Sequence, residues 1–126
     1  MSENLPRNEE NAAAIRYIEG NQAHSDTGGL LAIAGRRIEG VKADGSLGRK
    51  PFPAIGLLYQ GNYFAVAKGM QHLTLRLPPD HADLLVSYGA FLDEGIGFPG
   101  WISFNPFELR LDVDVWVEEA FRHSSL

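Results

Sequence analysis

Four histidines, His24, His72, His81 and His123, are the side chains best suited to acid–base or metal chemistry in this chain. None belongs to a His-x-x-x-His or similar ligand pair. His72 and His81 could meet Asp80 or Asp83 at a strand-to-helix corner. A metal centre needs more donors in a defined geometry than this supplies. The simpler reading makes His72 an exposed sheet residue, places His81 on a helix face and sets His123 at the negative end of a helix. No metal ligand is assigned. Cysteine is absent, which excludes disulfides, thiolate catalysis, cysteine-bound zinc and iron–sulfur clusters. Ser103 lies in Gly100-Trp101-Ile102-Ser103-Phe104, which has no Gly-x-Ser-x-Gly elbow to raise a nucleophile. Asp93 and Glu94 are loop neighbours, and Glu118 and Glu119 fall on the outer face of a helix. All four read as solvated carboxylates rather than a pair facing across a cleft. Arg36, Arg37, Lys42, Arg49 and Lys50 flank Gly45 and Gly48 and invite a phosphate reading. The glycine–lysine–hydroxyl order of a P-loop and the strand before it are missing. The sequence therefore assigns no catalytic residue and no cofactor.

What remains is an aromatic surface. In Trp101-Ile102-Ser103-Phe104, alternation puts Ile102 and Phe104 on one strand face and Trp101 and Ser103 on the other. If the first face is core, Trp101 stands on the second beside Tyr63, His72, Thr74 and Arg76. The simpler reading is that a second layer or a partner copy covers Trp101; the functional one is an aromatic platform for an apolar small molecule, with Tyr63 and His72 as polar neighbours. Tyr63, His72, Arg76 and Trp101 are the candidate binding residues.

The elements that would position them follow from local pattern. Asn8 with Glu9 and Glu10 opens a helix that Gly20 closes, with Ala14, Ile15 and Ile18 on one side. A second short helix is expected near Leu30–Ile38. Residues 41–53 carry Gly45, Gly48, Pro51 and Pro53 and read as irregular. Ile55–Gln60 and Tyr63–Ala67, joined by Gly61-Asn62, read as a hairpin. Gln71–Leu77 adds a third strand, with Leu73, Leu75 and Leu77 inward and His72, Thr74 and Arg76 outward. Pro78-Pro79 and Asp80 start a helix that ends at Gly89. Ala90–Gly97 reads as a loop, and Asn105-Pro106 stops the Trp101 strand. Asp112 caps a last helix whose stripe is Val113, Trp116, Val117, Ala120 and Phe121. The expected fold is α+β: a two-layer sandwich, with an antiparallel sheet of about four strands covered on one face by helices.

The 126 residues make one domain spanning 1–126, with residues 1–7 frayed. Net charge is −5, which argues against nucleic acid as partner. No apolar run is long enough to span a membrane, and no secretory signal is visible at the N-terminus. A cysteine-free chain of this kind suits the cytoplasm.

The stretch from about Gly56 to Ser124 resembles the small bacterial luciferase-domain proteins, a family of largely unknown function. The features are the aromatic hairpin, a strand ending in Leu77-Pro78, and a helix ending near Gly89. Gly100-Trp101-Ile102-Ser103-Phe104 and a final helix led by Asp112-Val113 complete them. In that family a His pair tends to precede the Trp strand; here the segment is Glu94-Gly95-Ile96-Gly97-Phe98. The resemblance implies an architecture, neither light emission nor a catalytic role. The element order also looks like other small α+β sandwiches, including frataxin-like ones, so fold alone leaves function open. The expectation is a non-catalytic small-molecule-binding or protein-interaction module, with a homodimer and an apolar small molecule as its candidate partners. The alternative is a small or degenerate enzyme using His72 with nearby acids.

Overall fold

The structure, a computed structural model, describes residues 8–125. The expectation for residues 1–7 lies outside the described residues. Helix α1 (Asn8–Glu19) leads to α2 (Ser25–Arg36), then to strands β1 (Val41–Asp44), β2 (Ile55–Tyr59), β3 (Asn62–Lys68) and β4 (His72–Arg76). Helix α3 (Pro79–Ser87), strands β5 (Phe91–Leu92) and β6 (Trp101–Phe104), and helices α4 (Pro106–Leu109) and α5 (Val113–Ser125) complete the chain. The fold is the expected α+β sandwich. Its sheet is antiparallel, with six strands in the order β1-β2-β3-β4-β6-β5.

The hairpin turns one residue earlier than its sequence suggests. Gln60 and Gly61 sit at φ 50° and 84°, the paired positive values of a type I′ connection, and Tyr59 faces Asn62 across the strands. Further along, Leu57 faces Ala65 while Leu58 faces Tyr63, so Phe64 is an extra residue in β3. This bulge turns Phe64 toward the main core and leaves Tyr63 and Val66 together on the opposite face.

That main core lies between one sheet face and α2, α3 and α5. Leu57, Phe64, Leu73, Leu75, Ile102 and Phe104 meet Leu31 and Ala34, Leu85, and Val117 and Ala120 there. Helix α2 begins five residues before the segment expected for it. Gly28 and Gly35, one heptad apart, explain how a glycine-containing run remains helical. A Cβ on Gly28 would stand 2.9 Å from Ile55 Cδ1, and one on Gly35 would stand 2.7 Å from Leu57 Cδ2. The two glycines thus let the helix backbone approach β2, and packing outweighs a propensity penalty of ~1 kcal/mol per glycine.

The second sheet face is not open. Helix α1 crosses it, with Ala13, Ala14, Tyr17 and Ile18 packed on Tyr63, Val66 and Trp101, while Ile96 from the β5–β6 loop joins the same cluster. Trp101 is fully buried and Tyr63 is 5% exposed. An indole buries about 150–250 Å². At ~25 cal/mol per Å² its burial is worth several kcal/mol, enough to favour a covering helix. The expectation that all helices share one face, leaving Trp101 displayed on the other, is therefore corrected. Two short elements also stand where irregular chain was expected: β1 pairs with β2 at one sheet edge, and β5 pairs with β6 at the other.

Candidate binding cleft around His24

Beneath α1 the polar side chains form buried links rather than a ligand surface. The Trp101 indole Nε1 donates to Glu10 Oε2 at 2.7 Å, and Arg76 Nε donates to the same oxygen. Tyr17 donates its hydroxyl to Asp93 Oδ2 at 2.5 Å, Thr74 Oγ1 donates to that oxygen at 2.9 Å, and the Gly95 amide donates to Asp93 Oδ1. Lys68 Nζ lies 5.0 Å from the centre of the Tyr17 ring. Burial, then the Asp93 carboxylate beside it, pushes the Tyr17 phenol well above the ordinary tyrosine value. Burial and the charge of Asp44 raise Tyr63 as well. Asp93, read from sequence as a solvated acid, is 4% exposed.

Three of the four candidate binding residues, Tyr63, Arg76 and Trp101, therefore lie under α1. His72 is half-buried at the margin of that face, where its ring meets Phe91 edge-on at 5.9 Å. His81 stands against Trp116, 5.6 Å between ring centres, with Nδ1 3.6 Å from Glu119. Among the described residues, no group of three or more His, Asp or Glu could hold a metal ion.

The concave surface lies elsewhere, at the link between α1 and α2. Residues 22–24 run as an extended strip held from both sides. The Ala23 amide donates to the Phe52 carbonyl at 2.8 Å, while the Gly69 amide donates to the Gln22 carbonyl at 2.6 Å and the His24 amide to the Gly69 carbonyl at 2.8 Å. Gln22 Nε2 donates to the Lys50 carbonyl at 2.7 Å, beside the cis Lys50–Pro51 bond. Strand-like alternation turns Ala23 inward, where it is 5% exposed, and turns Gln22 and His24 outward. Thr27 Oγ1 donates to the Met70 carbonyl at 2.7 Å and ties the β3–β4 turn to α2.

Three adjoining cavities of about 420, 370 and 260 Å³ share His24 in their walls. The largest is lined by Gln22, Ala23, Ser25, Phe52, Gly69 and Met70 as well. Phe52 is 59% exposed, Met70 71% and Phe107 47%; Phe52 and Met70 line the largest cavity, and Phe107 joins Met70 and Asp26 in the wall of the 370 Å³ one. Phe107 is positioned by Asn105. This residue caps α4 by accepting from the Phe107 and Glu108 amides, and its Nδ2 donates to Gln71 at 2.9 Å. On the α2 side the side chain of His24 is itself the cap, with Nδ1 accepting from the Asp26 amide at 3.1 Å.

The arrangement offers apolar walls and one imidazole, with the Asp26 carboxylate 3.8 Å from Nδ1 of that ring. The lone pair of Nδ1 is engaged by an amide, so His24 cannot use that nitrogen as a base. The walls of the largest cavity carry no carboxylate and no ammonium or guanidinium group. Sequence reasoning considered His24 only as a possible member of a ligand pair. The signal available was a histidine one residue before Ser25-Asp26-Thr27, at a helix start, with exposed Phe52 and Met70 in two separate turns. No family model matches the chain, and neither a curated protein nor a solved structure matches it significantly.

Proposed function

We propose that the protein is a non-catalytic binding module that takes an apolar small molecule in the cleft around His24. The observation that carries this reading is the convergence of exposed Phe52 and Met70 on a hollow walled by a hydrogen-bonded backbone strip, with exposed Phe107 beside Met70 in the adjoining cavity. A cavity of about 420 Å³ falls in the range of ligand sites, and apolar walls with few polar groups are typical of them. Exposed apolar clusters of this kind usually serve binding. The backbone pairing of residues 22–24 keeps the hollow formed before a ligand arrives, which lowers the ordering cost of binding.

The reading keeps the function expected from sequence and moves its location from the Trp101 face to the opposite end of α1. It assigns no enzyme activity to His72, whose ring packs on Phe91. A cytoplasmic setting and kinship with the luciferase-domain proteins belong to the same proposal. Under it, Gly100-Trp101-Ile102-Ser103-Phe104 is an architectural motif. Titration of the labelled protein with 2-acetylnaphthalene, followed by amide chemical shifts, tests it. Shifts should cluster at Ala23, His24, Gly69 and Met70 and vanish in Met70→Glu.

A protein-interaction reading has one favourable observation. β5 is the terminal strand of the sheet, and its Phe91 and Leu92 are 50% and 46% exposed. A homodimer formed there should dissociate in Leu92→Lys, as measured by sedimentation equilibrium.

A further inference from the structure

We infer that the ligand of this cleft is a neutral, largely apolar molecule carrying one hydrogen-bond acceptor, such as a ketone or ester carbonyl, and that His24 Nε2–H reads that acceptor. The inference rests on the binding reading above and adds the chemistry of recognition.

The tautomer of His24 follows from its capping role. Nδ1 lies 3.1 Å from the Asp26 amide nitrogen and accepts from it. A neutral imidazole that accepts at Nδ1 carries its proton on Nε2. Among the described residues nothing accepts from Nε2–H, and the side chain is 43% exposed at the junction of the three cavities. The ring therefore presents one donor of fixed direction, since the Asp26 amide holds its other end.

The remaining walls settle the rest of the ligand. Phe52, Met70 and Ala23 supply apolar surface, while Gln22, Ser25 and Gly69 are uncharged. In the 420 Å³ cavity a carboxylate or ammonium ligand would lose water without meeting an opposite charge; the Asp26 carboxylate lines the adjoining 370 Å³ cavity. An apolar body suits the walls, and a single carbonyl oxygen suits Nε2–H. Because water also reaches the imidazole, the acceptor adds a modest preference of roughly three- to tenfold in Kd over the same body without it.

Three probes with one ring system separate the possibilities: 2-acetylnaphthalene, 2-ethylnaphthalene and 2-naphthoate, each titrated into the full chain by amide chemical shifts. The expected order is ketone first, hydrocarbon several-fold weaker and carboxylate weakest. His24→Asn keeps an acceptor for the Asp26 amide, and with it the helix cap, while removing the imidazole donor. In that variant the ratio of ketone to hydrocarbon affinity should fall to about one, whatever the change in absolute affinity. Long-range proton–nitrogen spectra of the imidazole should show the proton on Nε2. Equal binding of ketone and hydrocarbon, tightest binding of naphthoate, a ketone preference surviving in His24→Asn, or a proton on Nδ1 would each overturn the inference and leave the cleft as a binding site. Failure of all three probes to move any cleft amide would overturn both.

Discussion

Glu10 and Trp101 are 91 positions apart in the chain, and a 2.7 Å hydrogen bond joins them. That contact, with Arg76 on the same carboxylate oxygen, closes the sheet face that alternation alone leaves bare. Glu10 and Arg76 side chains are 10% and 18% exposed, so the pair is largely shielded from water. Glu10→Ala would strand a buried indole N–H and a guanidinium together. The expected loss of stability is about 3 kcal/mol. Chemical denaturation checks it, and probe binding at the His24 cleft should persist in the folded fraction.

The Tyr17–Asp93 hydrogen bond gives stability a sign with pH. The Tyr17 phenol is raised above the ordinary value of 10.0 by burial and by Asp93. Below that value both folded and unfolded chains keep the proton. Above it the unfolded chain releases the proton while the folded chain retains it, so stability declines as pH rises through 10 and beyond. Tyr63, also raised, acts in the same direction. Urea midpoints measured from about pH 8 upward should fall in the parent protein and fall less steeply in Tyr17→Phe.

Gly100 stands at φ +92°, and a Cβ there would meet the Leu77 carbonyl oxygen at 2.8 Å. The same segment receives a backbone bond, from the Leu77 amide to the Gly100 carbonyl at 2.8 Å. Gly100→Ala is opposed by both the dihedral and the clash, and the clashing atom is backbone. A destabilisation of roughly 2–3 kcal/mol is expected, read from thermal or urea unfolding.

At the other end of α1, His24 acts as a helix cap. His24→Ala should destabilise the protein by about 1 kcal/mol, and His24→Asn should recover most of that. Equal loss in both variants would show that the imidazole contributes by packing instead.

The parts of the molecule legible in sequence are those set by neighbours. Leu73, Leu75 and Leu77 alternate and are buried, and Val117 and Ala120 of the last helical stripe are buried beside them. The sheet class and the order of its central strands follow from such patterns. What pattern could not decide is which sheet face a helix covers. The Ala13–Ala14 and Tyr17–Ile18 pairs of α1 would serve either face. The decision comes from Glu10 meeting Trp101 and Tyr17 meeting Asp93, contacts that run across most of the chain. The cleft was hidden for the same reason. Gln22, Phe52 and Gly69 come from three connecting segments, and the backbone pairing of residues 22–24 with the other two, together with the Gln22–Lys50 and Thr27–Met70 bonds, brings them together. In α2, Gly28 and Gly35 serve close approach to Ile55 and Leu57 rather than chain breaking.

The site itself is tested most directly by mapping amide shifts during titration with 2-acetylnaphthalene. The account predicts changes centred on Ala23, His24, Gly69 and Met70, with the Trp101 indole N–H unmoved. Changes centred on Trp101, Thr74 and the α1 amides, with the His24 cleft silent, would contradict it.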